Sequence, residues 1–419
     1  MNLKYIDNII NKEFHALTHR DFRVYWLGQC VSLMGTWIQN IGLSWLVFSA
    51  TGSPLLLGLL ETVRFLPITL FSLFAGVIID KYPKKQILLV TQTISMVLAF
   101  ILFILAFTHN IKYEYILILA LILGLANTID MPARQSFTIE MTGKEDLMNA
   151  IALSSVTYNL AKILGPAIGA LILSLWGADW CFLINCLSFL AAIISLYSIS
   201  AKPYVRDAAV NKNMMKEVIE GLKYIVLDSR LIQPVLLITI VGIFVYNYDV
   251  LIPVLTKNIL HQNEKVYGYL MSSLGIGSLL GAIMISFNKK SRTNSKILYF
   301  SSMLISLVLI LIGLTRTYYI TMVLLTVSGI ANIWFNTNAN VMLQLTTKNE
   351  YRGRVMSVYA LVDSGTAPLG YMMSGAAAGK IGADKTFILW GIISMALIIL
   401  LIAARIKRNN TILNENGGL

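Results

Sequence analysis

Long runs of apolar residues alternate with short polar breaks along the whole chain. Each run holds about 20 residues or more, the length an α-helix needs to cross a hydrocarbon core of ~30 Å. Twelve such spans are predicted, at 22–49, 54–80, 86–108, 113–141, 147–175, 180–201, 231–256, 266–287, 296–315, 317–345, 354–379 and 384–405. The longest polar stretch, 202–230, divides them six and six. The pattern predicts an all-α membrane protein with an N-terminal six-helix bundle over 1–201, a linker over 202–230, a C-terminal six-helix bundle over 231–405 and a tail over 406–419. Inside the linker, Met214 to Tyr224 has apolar positions at helical spacing, which suits an amphipathic helix lying on a membrane surface. The polar segment before residue 22 lacks the apolar run and small-residue cleavage site of a signal peptide.

Composition agrees: 57% of residues are hydrophobic and 13% charged, with mean hydropathy +0.71, against about half and a quarter in soluble domains. Of the 33 lysines and arginines, Lys112, Lys257, Lys265, Arg316, Lys380 and Lys385 alone fall at one set of loops, Arg64 and Lys162 lie deep inside spans, and the rest crowd the other face, Arg134 at the end of its span among them. That asymmetry predicts a multi-pass protein with both termini cytoplasmic. A basic inner face beside anionic lipid also accounts for the net charge of +12 without nucleic acid. Cys30, Cys181 and Cys186 lie in apolar segments with no ligand spacing, and the four histidines fall in loops or the tail, so neither a metal site nor a cofactor is expected. Gly375 to Lys380 is one residue short of a phosphate loop and lacks the hydroxyl after the lysine. It reads as a small-residue packing run.

The two halves carry a faint repeat. Gly124-Leu-Ala-Asn127 returns as Gly329-Ile-Ala-Asn332 at an offset of 205, and the same offset aligns Thr142 with Thr347, Glu145 with Glu350 and Gly165 with Gly370.

Residues 76–85 read Gly-Val-Ile-Ile-Asp-Lys-Tyr-Pro-Lys-Lys between two apolar runs. This decapeptide resembles the signature between helices 2 and 3 of major facilitator superfamily transporters. Further stretches resemble the drug:proton antiporter branch, the transmembrane secretion effector family that includes the enterobactin exporter and macrolide-efflux proteins. They are Phe22-Arg23-Val-Tyr-Trp26-Leu-Gly28-Gln29, Gly35-Thr-Trp37-Ile-Gln39-Asn40, Thr51-Gly52-Ser53-Pro54, Arg64-Phe65-Leu66-Pro67, Asp130-Met-Pro132-Ala-Arg134-Gln135 and Arg352-Gly353-Arg354-Val-Met356-Ser357. The resemblance implies the twelve-helix fold, alternating access and a gate in which Gly76 and Asp80 work with Gly353 and Arg354 at the start of span 11. Lys81, Lys84 and Lys85 serve either that gate or simply the positive inner face. Gly165-Pro166-Ala-Ile-Gly169 in span 5 resembles the antiporter motif, with Ala170 where a second glycine is common. Gly275, Gly277 and Gly281 in span 8 offer it a complementary small-residue face.

Ionisable groups inside spans are costly and are functional candidates. Glu61 and Arg64 are one helical turn apart, as are Asp130 and Arg134, so each pair can neutralise itself. Lys162, Asp249 and Asp363 complete the set, and Asp363 has no local partner. By depth, Arg64 and Asp363 could instead pair between spans 2 and 11. Spans 1, 4, 7 and 10, which line the cavity in the family fold, supply Met34, Trp37, Asn40, Asn127, Asp130, Tyr246, Asn247, Tyr248, Trp334, Phe335, Asn336 and Asn338. Aromatics mixed with amides suit a bulky amphiphile, and half of these side chains are expected to serve helix packing instead. The expectation is a proton-driven exporter of a drug, siderophore or similar small molecule in contact with membrane lipids, with Asp130 the first candidate for coupling and Glu61 and Asp363 next. A lipid or lysolipid flippase of the same fold and a non-transporting membrane component are the alternatives. An enzyme is disfavoured because no nucleophile–base set appears.

Overall fold

The computed structural model describes residues 15–143, 145–200, 214–287, 295–348 and 350–416, with positions 73, 74, 76, 77, 80, 214–218, 229, 286, 287 and 406–416 described by backbone alone. Among the described residues, a short 3-10 helix, His15–Thr18, precedes fifteen α-helices. They are α1 (Arg20–Thr51), α2 (Pro54–Lys81), α3 (Lys84–Phe107), α4 (Tyr113–Thr142), α5 (Leu147–Trp176), α6 (Ala178–Tyr197), α7 (Met214–Leu227), α8 (Ser229–Phe244), α9 (Tyr248–Asn258), α10 (Glu264–Phe287), α11 (Ser295–Leu314), α12 (Tyr318–Thr346), α13 (Arg352–Gly365), α14 (Ala367–Ile381) and α15 (Ala383–Asn416).

Local chemistry sets several of these ends. Gly52 takes a left-handed conformation (φ 62°) and donates its N–H to Phe48, closing α1. Ser53 then accepts from the Leu56 N–H, and Pro54 fills the first position of α2, where no N–H is needed. The Thr51-Gly52-Ser53-Pro54 run is thus a stop followed at once by a start.

Among the described residues, eleven helical segments are long and apolar enough to cross a membrane, α8 and α9 counting as one. The pair α13 and α14 completes the twelve. Spans 7 and 11, expected to be continuous, are each broken mid-way. Span 7 breaks at Val245–Asn247, where the Asn247 amide donates to the Ile243 carbonyl (2.7 Å) and satisfies an acceptor freed by the bend. Span 11 breaks at Thr366, whose hydroxyl donates to the Val362 carbonyl (2.9 Å), just before Pro368 removes a donor from the ladder.

The chain forms two compact units. The first comprises Met1–Gly52, Val63–Lys212 and Gln262–Gly275; the second comprises Ser53–Thr62, Asn213–His261 and Ile276–Leu419. In the first, α1 packs on α5 and α6, and α3 on α4 and α6. Phe22, Tyr25, Ile79, Leu88, Phe137, Leu153 and Leu196 form its core, with Ala16 of the 3-10 helix sealed against them. In the second, α11 packs between α12 and α15. The start of α2 belongs to this unit: Thr62 donates to the Pro368 carbonyl (3.0 Å), and a Cβ on Gly58 would meet the Gly375 Cα at 2.9 Å. Gly375 is therefore a helix-packing glycine.

The linker helix α7 also belongs to the second unit and lies on α13. The Arg354 carbonyl would stand 2.7 Å from a Cβ on Gly221, the Tyr224 and Tyr351 rings stack at 4.3 Å, and Glu220 pairs with Arg354 at 3.1 Å. On its other side Ile219, Leu222 and Val226 stand exposed at helical spacing. One face grips protein while the other offers an apolar stripe suited to a bilayer surface.

The repeat has a structural counterpart. Thr142 ends α4 and Thr347 follows α12; both are buried, and each hydroxyl donates to the carbonyl four residues back. Gly165 brings span 5 onto span 1 at Trp37, and Gly370 brings span 11 onto span 7 at Ile243 and Asn247.

Candidate functional site

The first unit holds a buried charge set on α3 and α4. Asp130, 4% exposed, accepts from the Thr91 hydroxyl (2.6 Å), from the Gln92 amide (2.9 Å) and from Arg134 one turn along its own helix. The Tyr25 phenol lies beside the Arg134 guanidinium, and its ring meets Phe137 edge-on (5.6 Å, 82°). Three donors on one carboxylate are how a charge is held away from water, and removing any one leaves the rest uncompensated. The one-turn spacing of Asp130 and Arg134 foretold their pairing. Thr91 and Gln92 stand out in the sequence only as polar residues inside an apolar span, with nothing local to name the carboxylate they serve.

At one end of this unit, Lys84 reaches the nearly buried Glu140 (3.6 Å) and the Lys85 ammonium donates to the Ile199 carbonyl (2.7 Å). Lys81 lies near the Tyr82 ring (5.7 Å) and is exposed. Two of the three motif lysines therefore tie the start of α3 to α4 and to the segment after α6. The side chains of Gly76 and Asp80 lie outside the described residues. Gly353 is described, and among the described residues nothing lies within 4 Å of a Cβ built on it.

The Gly165–Gly169 motif sits between two neighbours. Gly165 abuts Trp37, and a Cβ on Gly169 would stand 3.1 Å from the Ile38 Cα, so one face presses on α1. On the other, Gly268 of α10 seats on Ala170, and a Cβ on Gly275 would stand 2.9 Å from the Ile163 Cα and 3.0 Å from the Lys162 carbonyl. Gly268 and Gly275 supply the complementary face. Gly277 and Gly281 differ from the expectation: they point to Thr326 and Ile330 of α12, because positions two and six residues on from Gly275 lie on another side of the helix.

In the second unit, polar groups gather where spans 7 and 11 are broken. Gly242 touches the Thr366 hydroxyl, and Gly370 lies against Asn247. Asn247 is wholly buried and its side-chain oxygen has no hydrogen-bond partner among the described residues, as is true of Asn338, whose amide donates to the Trp334 carbonyl (2.8 Å). The Tyr248 hydroxyl meets Ser328 at 2.6 Å. The half-buried Asp363 lies within electrostatic reach of the phenols of Tyr246 and Tyr359. Asp249 is reached by the Tyr371 hydroxyl at 3.4 Å.

The other expected residues divide by surroundings. Met34 packs on Ile38, Ile172 and Cys181. Trp37 covers Gly165 and meets Tyr158 edge-on at 6.1 Å. Phe335 is wholly buried. Asn40, Asn127, Trp334 and Asn336 keep partial exposure. Glu61 is 1% exposed, while Arg64 and Lys162 are half-buried. Arg64 borders a small cavity of ≈ 10 Å³ within the first unit, lined also by Gln39, Ser95 and Leu119, with room for about one water.

Comparison with known proteins decides the family. The transmembrane secretion effector family matches residues 12–415. The chain belongs to that family. Within it, the chain is similar to the staphyloferrin A transporter of Staphylococcus aureus, at 27% identity over 87% of this chain and 91% of the relative. Similarity extends to macrolide efflux protein A of Streptococcus pyogenes (23%, over 90% and 94%) and to the enterobactin exporter EntS of Shigella boydii (22%, over 93% and 94%). Among solved structures, the fold is similar to that of the nucleoside transporter NupG (TM-score 0.73, 12% identity, over 92% of this chain and 99% of that one). It is also similar to a bacterial homologue of the lysosomal transporter Spinster (TM-score 0.68, 11% identity, over 92% and 94%). The secretion effector chain has the major facilitator fold, a multi-pass membrane architecture whose members here are transporters and not enzymes.

Proposed function

We propose that this protein exports a small amphiphilic molecule across a bacterial inner membrane by alternating access, with protons moving the other way. Similarity along nearly the whole length to efflux and exporter proteins for a siderophore and for macrolides supports export and the cargo class. The observation that carries proton coupling is the Asp130 site: a buried carboxylate whose three donors can be rearranged as the helices move. Loading a proton on the oxygen that Arg134 holds requires the guanidinium to let go, whereas loading the other displaces Thr91 and Gln92 and so ties protonation to the packing of α3 on α4. Asp363, beside Tyr246 and Tyr359, is the second candidate. Gly76, Asp80 and the lysines that follow serve gating, and the crowding of positive loops on one face supports cytoplasmic termini.

The test is transport in proteoliposomes under an imposed pH gradient, with staphyloferrin A, enterobactin and a macrolide as cargoes. Uphill accumulation of at least one cargo that collapses with the gradient is expected, and Asp130→Asn should abolish it while sparing cargo binding. Accumulation indifferent to the gradient would refute proton coupling, and failure to move any amphiphile would refute export.

A further inference from the structure

Two histidines and a carboxylate converge on the face of the first unit that carries its 3-10 helix. The His15 Nδ1 lies 2.9 Å from one oxygen of Asp146, and the His19 Nε2 lies 2.7 Å from the other. The three ligand-type atoms fall within 4.8 Å of one another. We infer that His15, His19 and Asp146 form a binding site for a divalent transition-metal ion such as zinc or cobalt, bridging the 3-10 helix to the start of α5.

Four observations carry the assignment. The donor set is two imidazoles and one carboxylate, the combination that suits zinc, cobalt, nickel and ferrous iron while leaving positions for water. The spacing is near what a metal requires, since ligands at about 2.1 Å from an ion stand roughly 3–3.5 Å apart. Asp146 occupies the N-cap of α5, yet its side chain makes no capping bond and is turned to the imidazoles, giving up an interaction of about 1 kcal/mol. The backbone beneath is fixed: the Ala16 N–H donates to the Asn149 side chain (3.0 Å), Ala16 is wholly buried, and the Thr18 hydroxyl closes the short helix on His15 (2.6 Å). The neighbouring Arg20 is turned toward Asp21, 3.9 Å away. Side-chain exposures of 59%, 38% and 18% for His15, His19 and Asp146 leave an open path for an ion. Spacing in the sequence could not disclose the site, because Asp146 lies 127 residues beyond His19.

The assignment stands apart from transport and is tested without it. Tag-free full-length protein in detergent, stripped with a chelator and titrated with cobalt chloride, is expected to develop visible ligand-field absorption. Zinc chloride should abolish that absorption and raise Tm. His15→Gln and His19→Gln should each weaken cobalt binding by about tenfold or more, and the double variant should lose it. His15 is the most exposed of the three, so His15→Gln should keep the metal-free Tm, which separates lost binding from lost folding. His109→Gln should bind as wild type does. No binding by wild type at micromolar cobalt, or equal binding by wild type and the double variant, would overturn the assignment and leave a plain imidazole–carboxylate contact.

Discussion

Asn247 lies directly against Gly370: a Cβ at that glycine would stand 2.6 Å from the Asn247 side-chain oxygen and 2.7 Å from the Ile243 carbonyl. The two broken helices of the second unit therefore touch backbone to side chain at the level of their breaks. Gly370→Ala should destabilise the protein by about 1–3 kcal/mol through overpacking. Gly379→Ala, on the same helix with nothing among the described residues within 4 Å of the added carbon, should be near neutral. Thermal unfolding of the two variants side by side is the check, and equal Tm values would contradict the close approach.

Breaking the Asp130–Arg134 pair from either side leaves a buried charge alone, at a cost of about 3–5 kcal/mol. Asp130→Asn and Arg134→Gln should each lower Tm markedly. The double variant should recover part of the loss, because amides can still share hydrogen bonds with Thr91 and Gln92. Additive losses would show that the two side chains act independently.

The contacts of α7 on α13 differ in kind, and so should their variants. Glu220 and Arg354 are both partly solvated, so Glu220→Gln should change stability by less than about 1 kcal/mol. Gly221→Leu would drive a side chain into the Arg354 backbone and should release the helix. Amide exchange over 219–227 should rise sharply in the second variant and barely in the first.

Hydrogen bonds from His19 and His15 hold the Asp146 carboxyl below its ordinary range. A carboxylate with a lowered folded-state pKa adds stability above its unfolded pKa, about 3.9, and that contribution fades as pH falls through the folded value. Wild type should therefore lose stability relative to Asp146→Asn on acidification below about pH 4. The comparison is Tm against pH for the two proteins, and parallel curves would refute it.

How much of this was legible in the sequence depended on distance along the chain. Span lengths showed the helices, and the one-turn spacing of Asp130 and Arg134 showed their pairing. Thr91 and Gln92 lie 39 and 38 residues from the carboxylate they serve, and no local pattern links them to it. The break in span 11 had a marker in Gly365 and Pro368, a glycine and a proline bracketing the bend. The break in span 7 had a weaker one: Tyr246-Asn247-Tyr248 contains neither residue, and Gly242 stands nearly a full turn before it. The amphiphilic cavity list mixed two populations, because aromatic rings such as Trp37 and Phe335 satisfy helix packing as readily as they would a cargo.

The docking of α7 on α13 has a consequence for how the chain is made. Glu220 leaves the ribosome 134 residues ahead of Arg354, and at roughly 5–20 residues per second the helix waits on the order of ten seconds for its partner. During that interval its apolar stripe of Ile219, Leu222 and Val226 has only the bilayer surface to cover it. The membrane thus holds one face of the helix from the outset, and span 11, once made, clamps the opposite face through Gly221 and Tyr224.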